Sequence, residues 1–419
     1  MNRLHTAVGA LILLLVSFSL YAIASETENR AKPEEAKSVI LLIGDGMGFA
    51  QMTAARWAKA DENLSNYMDA ELFMDGMEYA GYSSTSSSDS FVTDSVASGT
   101  ALATGHKTNL GIIGQDETAI FGVQDGENLT TILELAESEG KATGIVTNMR
   151  ITHGTPASFY AHVNDRDKED LIAEQLLASG VDVVLGGGLC YFVGQNETDP
   201  LGGTSSRDDD LNLLQEAQDL GYVFVYNRTE LLGVDPVSTE RLLGLFGSSH
   251  LYFEFRRMSE IDPQPSLSEM TEKAIEVLSR DDDGFFLMVE GGTIDHACHI
   301  RSFDNTTAET LAFDEAVEVA LDYADRSGDT LVVVTADHEA GGLVLGAVDF
   351  DNYSAGEPVF ASGLARSSGP GYNLTSTGMS THTAVDVPLM ASGPGAERFC
   401  RGRIDNTEIF YLMKEGMGL

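Results

Sequence analysis

The chain of 419 residues is poor in basic side chains: 25 Lys and Arg face 65 Asp and Glu, for a formal charge of -40. Phosphate backbones are bound by Lys and Arg, so this balance argues against a nucleic acid partner. A small anionic substrate would need positive charge concentrated at one place, which bound metal ions can supply. Acid excess with so little Lys also suits high salt, where screening relieves self-repulsion. Cysteine is scarce as well. Cys190, Cys298 and Cys400 are an odd set, so at most one disulfide forms and a thiol is left over. Gly-x-Ser-x-Gly does not occur, which argues against a serine-histidine hydrolase triad. Cys/Ser-x-Pro-x-Arg is missing too, and no internal repeat is visible.

Met1 to Ala24 has a basic start at Arg3, an apolar stretch from Val8 to Leu20, and Ala22-Ile23-Ala24 as a small-residue cleavage site. That is the pattern of a secretory signal. The competing reading is an uncleaved membrane anchor, since Val8 to Ala24 is just long enough to span a bilayer. Either way the expected location is extracytoplasmic: periplasm, cell surface or medium. No cysteine follows the apolar run, so nothing indicates a lipoprotein, and Ser25 to Lys37 reads as a polar tether. Asn-x-Ser/Thr sequons starting at Asn63, Asn128, Asn196, Asn227, Asn305, Asn352 and Asn373 suit an exported surface. The remaining chain is long enough for one large α/β domain or two ordinary ones.

What the chain does have is a recurrent pattern of apolar runs that end in metal-ligand residues. Phe285 to Val289 empties into Glu290, Asp295, His296 and His299; Thr330 to Thr335 ends in Asp337 and His338; Ser38 to Ile43 ends in Asp45 between glycines. Carboxylate oxygen with imidazole nitrogen suits zinc, with harder oxygen-loving ions nearby. Asp and His are also ordinary turn residues, but three strands delivering them at the same end is hard to obtain by accident. Further strand-like runs are Thr143 to Thr147, Val181 to Leu185, Tyr222 to Tyr226 and Val387 to Met390. Amphipathic helical patterns lie between them, at Leu129 to Ser138, Glu169 to Ala178, Leu211 to Leu220, Leu267 to Leu278 and Glu309 to Ala324. The alternation predicts an α/β fold with a large, mainly parallel central sheet and helices on both faces. Ligands of such sheets bind at the carboxyl ends of the strands. Val344 to Ser380, rich in Gly, Ser and Asn, breaks the alternation and reads as an insertion placed to roof the site.

A nucleophile candidate sits in Phe91 to Gly105, where Ser95 follows Asp94 and opens a run of small, helix-compatible residues. Its hydroxyl and the neighbouring N–H groups would face an anion; the competing reading is that Asp94 or Ser95 only caps a helix. No histidine is close in sequence to serve as general base. A metal ion would instead stabilise the alkoxide.

Gly44-Asp45-Gly46-Met47-Gly48, Thr93-Asp94-Ser95, His153 to Ala157, Glu290 to His299, Thr335 to Glu339 and Thr381-His382-Thr383 occur in that order. Together, from Val39 to about Cys400, they resemble the alkaline phosphatase family. The resemblance implies one catalytic domain over residues 38–419 and two zinc ions with a third, usually magnesium, site. Asp295, His299 and His382 would hold the first zinc, and Asp45, Asp337 and His338 the second. Thr155 and Glu290 would complete the third site, towards which Asp45 bridges. Ser95 would be the nucleophile, a zinc-activated serine that becomes a phosphoserine, with Asp94 beside it. Arg166 would clamp the phosphate. Small phosphate monoesters are the implied substrates. Family members are often dimers, though no interface is legible here.

This chain departs from the family pattern at three positions. Val96 replaces a usually small residue and is expected to crowd the phosphate pocket. His153 and His296 stand where members vary; both are expected near the phosphate or the third ion, where two imidazoles would favour zinc over magnesium. Two alternatives remain at this level: a phosphodiesterase of the same two-metal fold, and an exported metal- or phosphate-binding protein without catalysis.

Overall fold

Runs of Val, Ile, Leu and Phe without polar interruption are too short for helices and too apolar for a sheet edge, and they form strands covered on both faces. The computed structural model describes residues 35–60, 70–260, 264–345, 359–360, 364–366, 374–376 and 380–419. Its main sheet has ten strands. Eight are β1 (Ser38–Ile43), β2 (Tyr79–Ser84), β3 (Ala142–Arg150), β4 (Val183–Gly187), β5 (Val223–Val225), β6 (Leu242–Leu245), β7 (Phe285–Glu290) and β8 (Thr330–Thr335). Val387–Ser392 and Arg403–Asp405 complete it. The order across the sheet is Arg403–Asp405, β2, Val387–Ser392, β8, β1, β7, β3, β4, β6, β5. Val387–Ser392 runs antiparallel to β2 and β8, and every other pair is parallel. The mainly parallel sheet expected from the alternation is therefore the one that forms.

Successive side chains of β1 feed two separate cores, as the two-residue period of a strand requires. Val39, Leu41 and Ile43 pack with Val333, Phe286 and Met288 beneath helices Ser95–Thr104 and Asn406–Gly416. Ile40 and Leu42 pack on the other face with Val332, Leu287, Met270 and Phe313 beneath helices Leu267–Leu278 and Phe303–Ser327. The last helix is longer than the apolar period from Glu309 to Ala324 suggests. Ser302 accepts a hydrogen bond from Asn305 N and starts it early, and Gly328 ends it in the left-handed region. β2, β6 and Arg403–Asp405 were not legible as strands. β2 is small and half-exposed, and the other two span only 4 and 3 residues.

Register decides where the ligands arrive. Ile43 lies opposite both Glu290 and Thr335, and Thr147 lies opposite Glu290. β3, β7, β1 and β8 therefore finish at one level, and Asp45, Glu290, Asp337 and His338 share a rim. His382 reaches that rim by another route: the strand after it is antiparallel, so its beginning, rather than its end, lies there.

At the amino end, Ala36 is buried and its N–H donates to Gly416 O, while Lys37 N donates to Asp329 O. The last residues assigned to the tether are thus docked on the domain. The signal segment lies outside the described residues, as does most of the 344–380 insertion with its expected role as a roof. Of that insertion, Val344 pairs with Val359, and Leu364–Arg366 pairs with Leu374–Ser376. Among the described residues no helix is long and apolar enough to cross a membrane.

Leu41 is fully buried at the centre of the sheet. Leu41→Ala should cost about 2–5 kcal/mol of stability, since the cavity cannot collapse between two strands; guanidinium unfolding followed by circular dichroism measures it.

Candidate active site

Asp94 adopts an extended backbone, and its side chain accepts a 3.0 Å hydrogen bond from Ala97 N, so it caps helix Ser95–Thr104. Its other carboxylate oxygen accepts from Gly111 N at 3.0 Å and from Arg166 Nη1 at 3.1 Å. One residue thus sets both the helix start and the arginine. The capping reading and the site reading of this segment are compatible, because Ser95 Oγ turns into the rim. It lies 3.4 Å from Asp45 Oδ2 and 3.2 Å from His338 Nε2. The fold thereby supplies a histidine that the sequence around Ser95 lacks. That imidazole is unlike a triad base, since Nε2 also faces Asp45 Oδ1 at 3.4 Å and Asp337 Oδ2 at 3.3 Å. Among the described residues no hydrogen-bond partner orients its Nδ1.

Three groups of donors gather here, the atoms of each lying within 4.8 Å of one another: Asp295, His299 and His382; Asp45, Asp337 and His338; Asp45, His153 and Glu290. In the first, His299 Nδ1 is 2.6 Å from Ser380 O and His382 Nδ1 is 2.9 Å from Thr93 O. A carbonyl can only accept, so both protons sit on Nδ1. Each Nε2 is the atom left to ligate once a cation displaces its proton, and they face Asp295 Oδ2 at 3.0 Å and Oδ1 at 3.5 Å. Gly46 makes the convergence possible. It has φ 75°, and a Cβ there would lie 2.8 Å from Ala340 Cβ and 2.9 Å from Asp295 Cα.

These groups fit metal ions by a test that needs no ion present. Asp45 Oδ1, Glu290 Oε1, Asp295 Oδ1, Asp337 Oδ2 and Thr155 Oγ1 are buried without a well-formed hydrogen bond among the described residues. Each such atom is costly on its own, and a divalent cation satisfies several at once. The carboxyl groups register the same crowding. Burial, then the charges of Asp337, Asp295 and Glu290, push Asp45 well above the usual carboxylate range. Burial raises Glu290 to about 7 and Asp337 to about 6. For Asp295 burial acts in the same direction, but the His299 and His382 imidazoles outweigh it and hold the carboxyl well below its ordinary value. Burial alone would lower His382, yet Asp295 raises it to about 9.

A cleft of about 460 Å³ opens over the groups, with Asp94, Ser95, His153, Arg166, Asp295, His296, His299 and His382 in its wall. His153 stands between the third group and Arg166, its Nε2 3.4 Å from Nη2. Burial, then Arg166 and His250, keep it neutral well below its ordinary range. His296 belongs to none of the three groups; its ring lies 6.0 Å from that of His153 and 4.7 Å from that of His250. Val96 corrects an expectation: its side chain is fully buried in the core and does not crowd the phosphate pocket.

Several contributors escaped the sequence reading. His250 arrives from the loop after β6, and a pairing signal for that short strand was missing. Thr147 hydrogen-bonds Glu290 Oε2, and it obeys the same rule of polar residues near buried strand ends that revealed Asp45. Gln51 and Glu339 lie behind the rim, joined by a 2.9 Å hydrogen bond from Gln51 Nε2 to Glu339 Oε1. Of the three cysteines, Cys190 and Cys298 are buried free thiols and Cys400 is an exposed one.

The family model for alkaline phosphatase matches residues 36–368. The chain is 34% identical over 427 residues to an alkaline phosphatase of Gadus morhua, covering 90% of this chain and 87% of that one. It is 35% identical to streptomycin-6-phosphate phosphatase of Streptomyces griseus, covering 100% and 98%. Among solved structures, alkaline phosphatase from the Antarctic bacterium TAB5 superposes with TM-score 0.75 at 30% identity, covering 92% of this chain and 99% of that one. A variant of the TAB5 enzyme carries magnesium in its M3 site.

The metal-free carboxyl groups of Asp45, Glu290 and Asp337 keep protons to higher pH than free carboxyls do, while a cation binds their charged forms. Uptake of a divalent cation such as zinc should therefore release protons and strengthen from about pH 5 to about pH 8. Calorimetric titration of chelated protein in buffers of different ionisation enthalpy reads both, and uptake independent of pH would contradict the assignment.

Proposed function

Because the chain belongs to the alkaline phosphatase family of metal-dependent phosphatases, we propose that it is an exported phosphomonoesterase working through a phosphoserine at Ser95. One juxtaposition carries this reading: Ser95 Oγ, at the first turn of its helix, lies beside the Asp45, Asp337 and His338 group, with Arg166 in the same cleft. Zinc would be held by Asp295, His299 and His382, and by Asp45, Asp337 and His338 together with Ser95. The third ion would be held by Asp45, Thr155 and Glu290. The nitrogen of His153, which gathers with Asp45 and Glu290, favours zinc there, whereas the TAB5 variant holds magnesium. When bound, the two zinc ions supply Lewis acidity to the entering and leaving oxygens of an in-line displacement.

The chain's own groups do the rest. Ser95 Oγ gives up its proton to solvent and attacks phosphorus, the P–O bond to the alcohol breaks as the Oγ–P bond forms, and the leaving oxygen departs on the opposite side and takes a proton from water. Water then attacks the phosphoserine, freeing Ser95 and inorganic phosphate. Arg166 presents a planar fork to two non-bridging oxygens, and Asp94 keeps that fork in place. His153 and His296 line the cleft as neutral groups, burial being the largest cause in both. Arg166 and the third group suit the dianionic end of a monoester better than a diester. The apolar run near the amino end, with Ala22-Ile23-Ala24 after it, supports export.

Hydrolysis of p-nitrophenyl phosphate and of its bis-ester, with and without chelator, tests the proposal. The monoester should turn over faster, and only without chelator. A faster bis-ester would point to a phosphodiesterase, and no turnover with added zinc would point to a binding protein. Ser95→Ala should remove the phosphoenzyme trapped at low pH and lower the rate by at least about 10³-fold. Arg166→Ala should weaken inhibition by inorganic phosphate by about 1.5–3 kcal/mol, the worth of hydrogen bonds to a charged group, while the metal content stays the same. Inhibition equal to wild type would remove Arg166 from the site.

A further inference from the structure

Glu339 follows directly on Asp337 and His338, yet it faces away from the cleft and is almost fully buried. Its carboxylate accepts from four donors, none a charged side chain. Oε1 takes Gln51 Nε2 at 2.9 Å and Leu343 N at 3.2 Å; Oε2 takes Gly342 N at 3.2 Å and the Thr383 hydroxyl. The short strand Glu339–Ala340 pairs with His382–Thr383, setting Thr383 opposite Glu339.

Gln51 extends this contact to two more segments. Its amide oxygen accepts from Gly48 N at 3.0 Å, and its Nε2 also donates to Ala340 O at 2.7 Å. The same nitrogen lies 3.7 Å from Cys298 Sγ, in the helix that carries Asp295 and His299. Gly48 has no side chain for a steric reason: a Cβ there would lie 2.4 Å from Glu339 Cγ. One carboxylate and one carboxamide thus join the Asp45 loop, the Asp337–His338 segment, the His382 strand and the Asp295–His299 helix.

We infer that Glu339, acting with Gln51, is a positioning residue that holds the ligand-bearing segments of both zinc groups at one mutual spacing. The inference rests on the metal reading of those groups given above. Glu339 touches neither substrate nor ion, and it acts through His382 and Asp45. A single loop could be held by its own turn, but His382 is separated from Asp295 by a long stretch of chain and reaches the first group from the opposite end of its strand. Holding that distant segment needs cross-links: the pairing of His382 with Ala340 and the His382 Nδ1 to Thr93 O bond are two, and the Thr383–Glu339 bond is the one that ties it to Gln51 and the Asp45 loop.

The test compares wild type, Glu339→Gln and Thr383→Val as purified full chains. Each is stripped of metal and titrated with zinc against a chromogenic chelator, while thermal unfolding of the stripped proteins gives a structural baseline. Glu339→Gln sets an NH2 against donors and should weaken zinc binding about 10–100-fold, as loss of an outer ligand-orienting group does. Thr383→Val removes one hydroxyl and should weaken zinc binding about 3–10-fold, the worth of one hydrogen bond, with stripped-protein unfolding like that of wild type. Activity of both variants should return as zinc is raised. If Glu339→Gln does not fold, Thr383→Val decides. Zinc affinities equal to wild type in the folded variants overturn the inference, as does a lowered stripped-protein Tm without any change in affinity. If wild type itself takes up no zinc, the metal reading of the site fails first and the inference falls with it.

Discussion

Four carboxyl groups, Asp45, Glu290, Asp295 and Asp337, are buried around one rim, and keeping all of them charged calls for positive charge among them. The rest of the structure depends on that constraint. A protein with 65 acidic and 25 basic residues has little Lys or Arg to place there, and the partners the fold provides are mainly imidazoles. Asp295 is the member that gains enough from them, through His299 and His382, to stay well below its ordinary range. The other three are pushed up, burial first, because each sees a neighbouring carboxylate. Cations placed among these carboxyls would offset that charge.

The parallel sheet is what brings these groups together. Neighbouring strands end at one level because Ile43, Glu290 and Thr335 are in register, and alternation along β1 anchors it between two separate cores. A rim built this way is rigid where it needs to be: the ligands follow central strands with no exposed edge. Asp94 shows similar economy in the loop that supplies Ser95, since one side chain caps the helix, accepts from Gly111 and holds Arg166.

Much of this was legible in the chain itself. Apolar runs ending in Asp45, Glu290 and Asp337 announced a shared carboxyl rim, and helices such as Leu267–Leu278 were visible at their observed bounds. β6 and Arg403–Asp405 were lost because 3 or 4 residues carry too little period to read unless, as around β5, apolar and aromatic neighbours lengthen the run. Val96 was misjudged for a related reason. The residue after Ser95 is adjacent in sequence, but the helical turn swings its side chain into the core.

The sequence by itself determined which chemistry was available: ordered carboxylates and imidazoles, a serine behind a capping aspartate, and too few cations to bind an anion unaided. Local order along the chain carries that information because strand ends and helix starts are set by neighbouring residues. Tertiary structure alone decided that His153 comes within reach of Asp45 and Glu290, that His338 approaches Ser95, that His250 joins His153 and His296, and that Glu339 reaches Gln51 and Thr383. These contacts depend on sheet order and on the antiparallel run of Val387–Ser392. Both are properties of packing between distant segments, which no local pattern encodes.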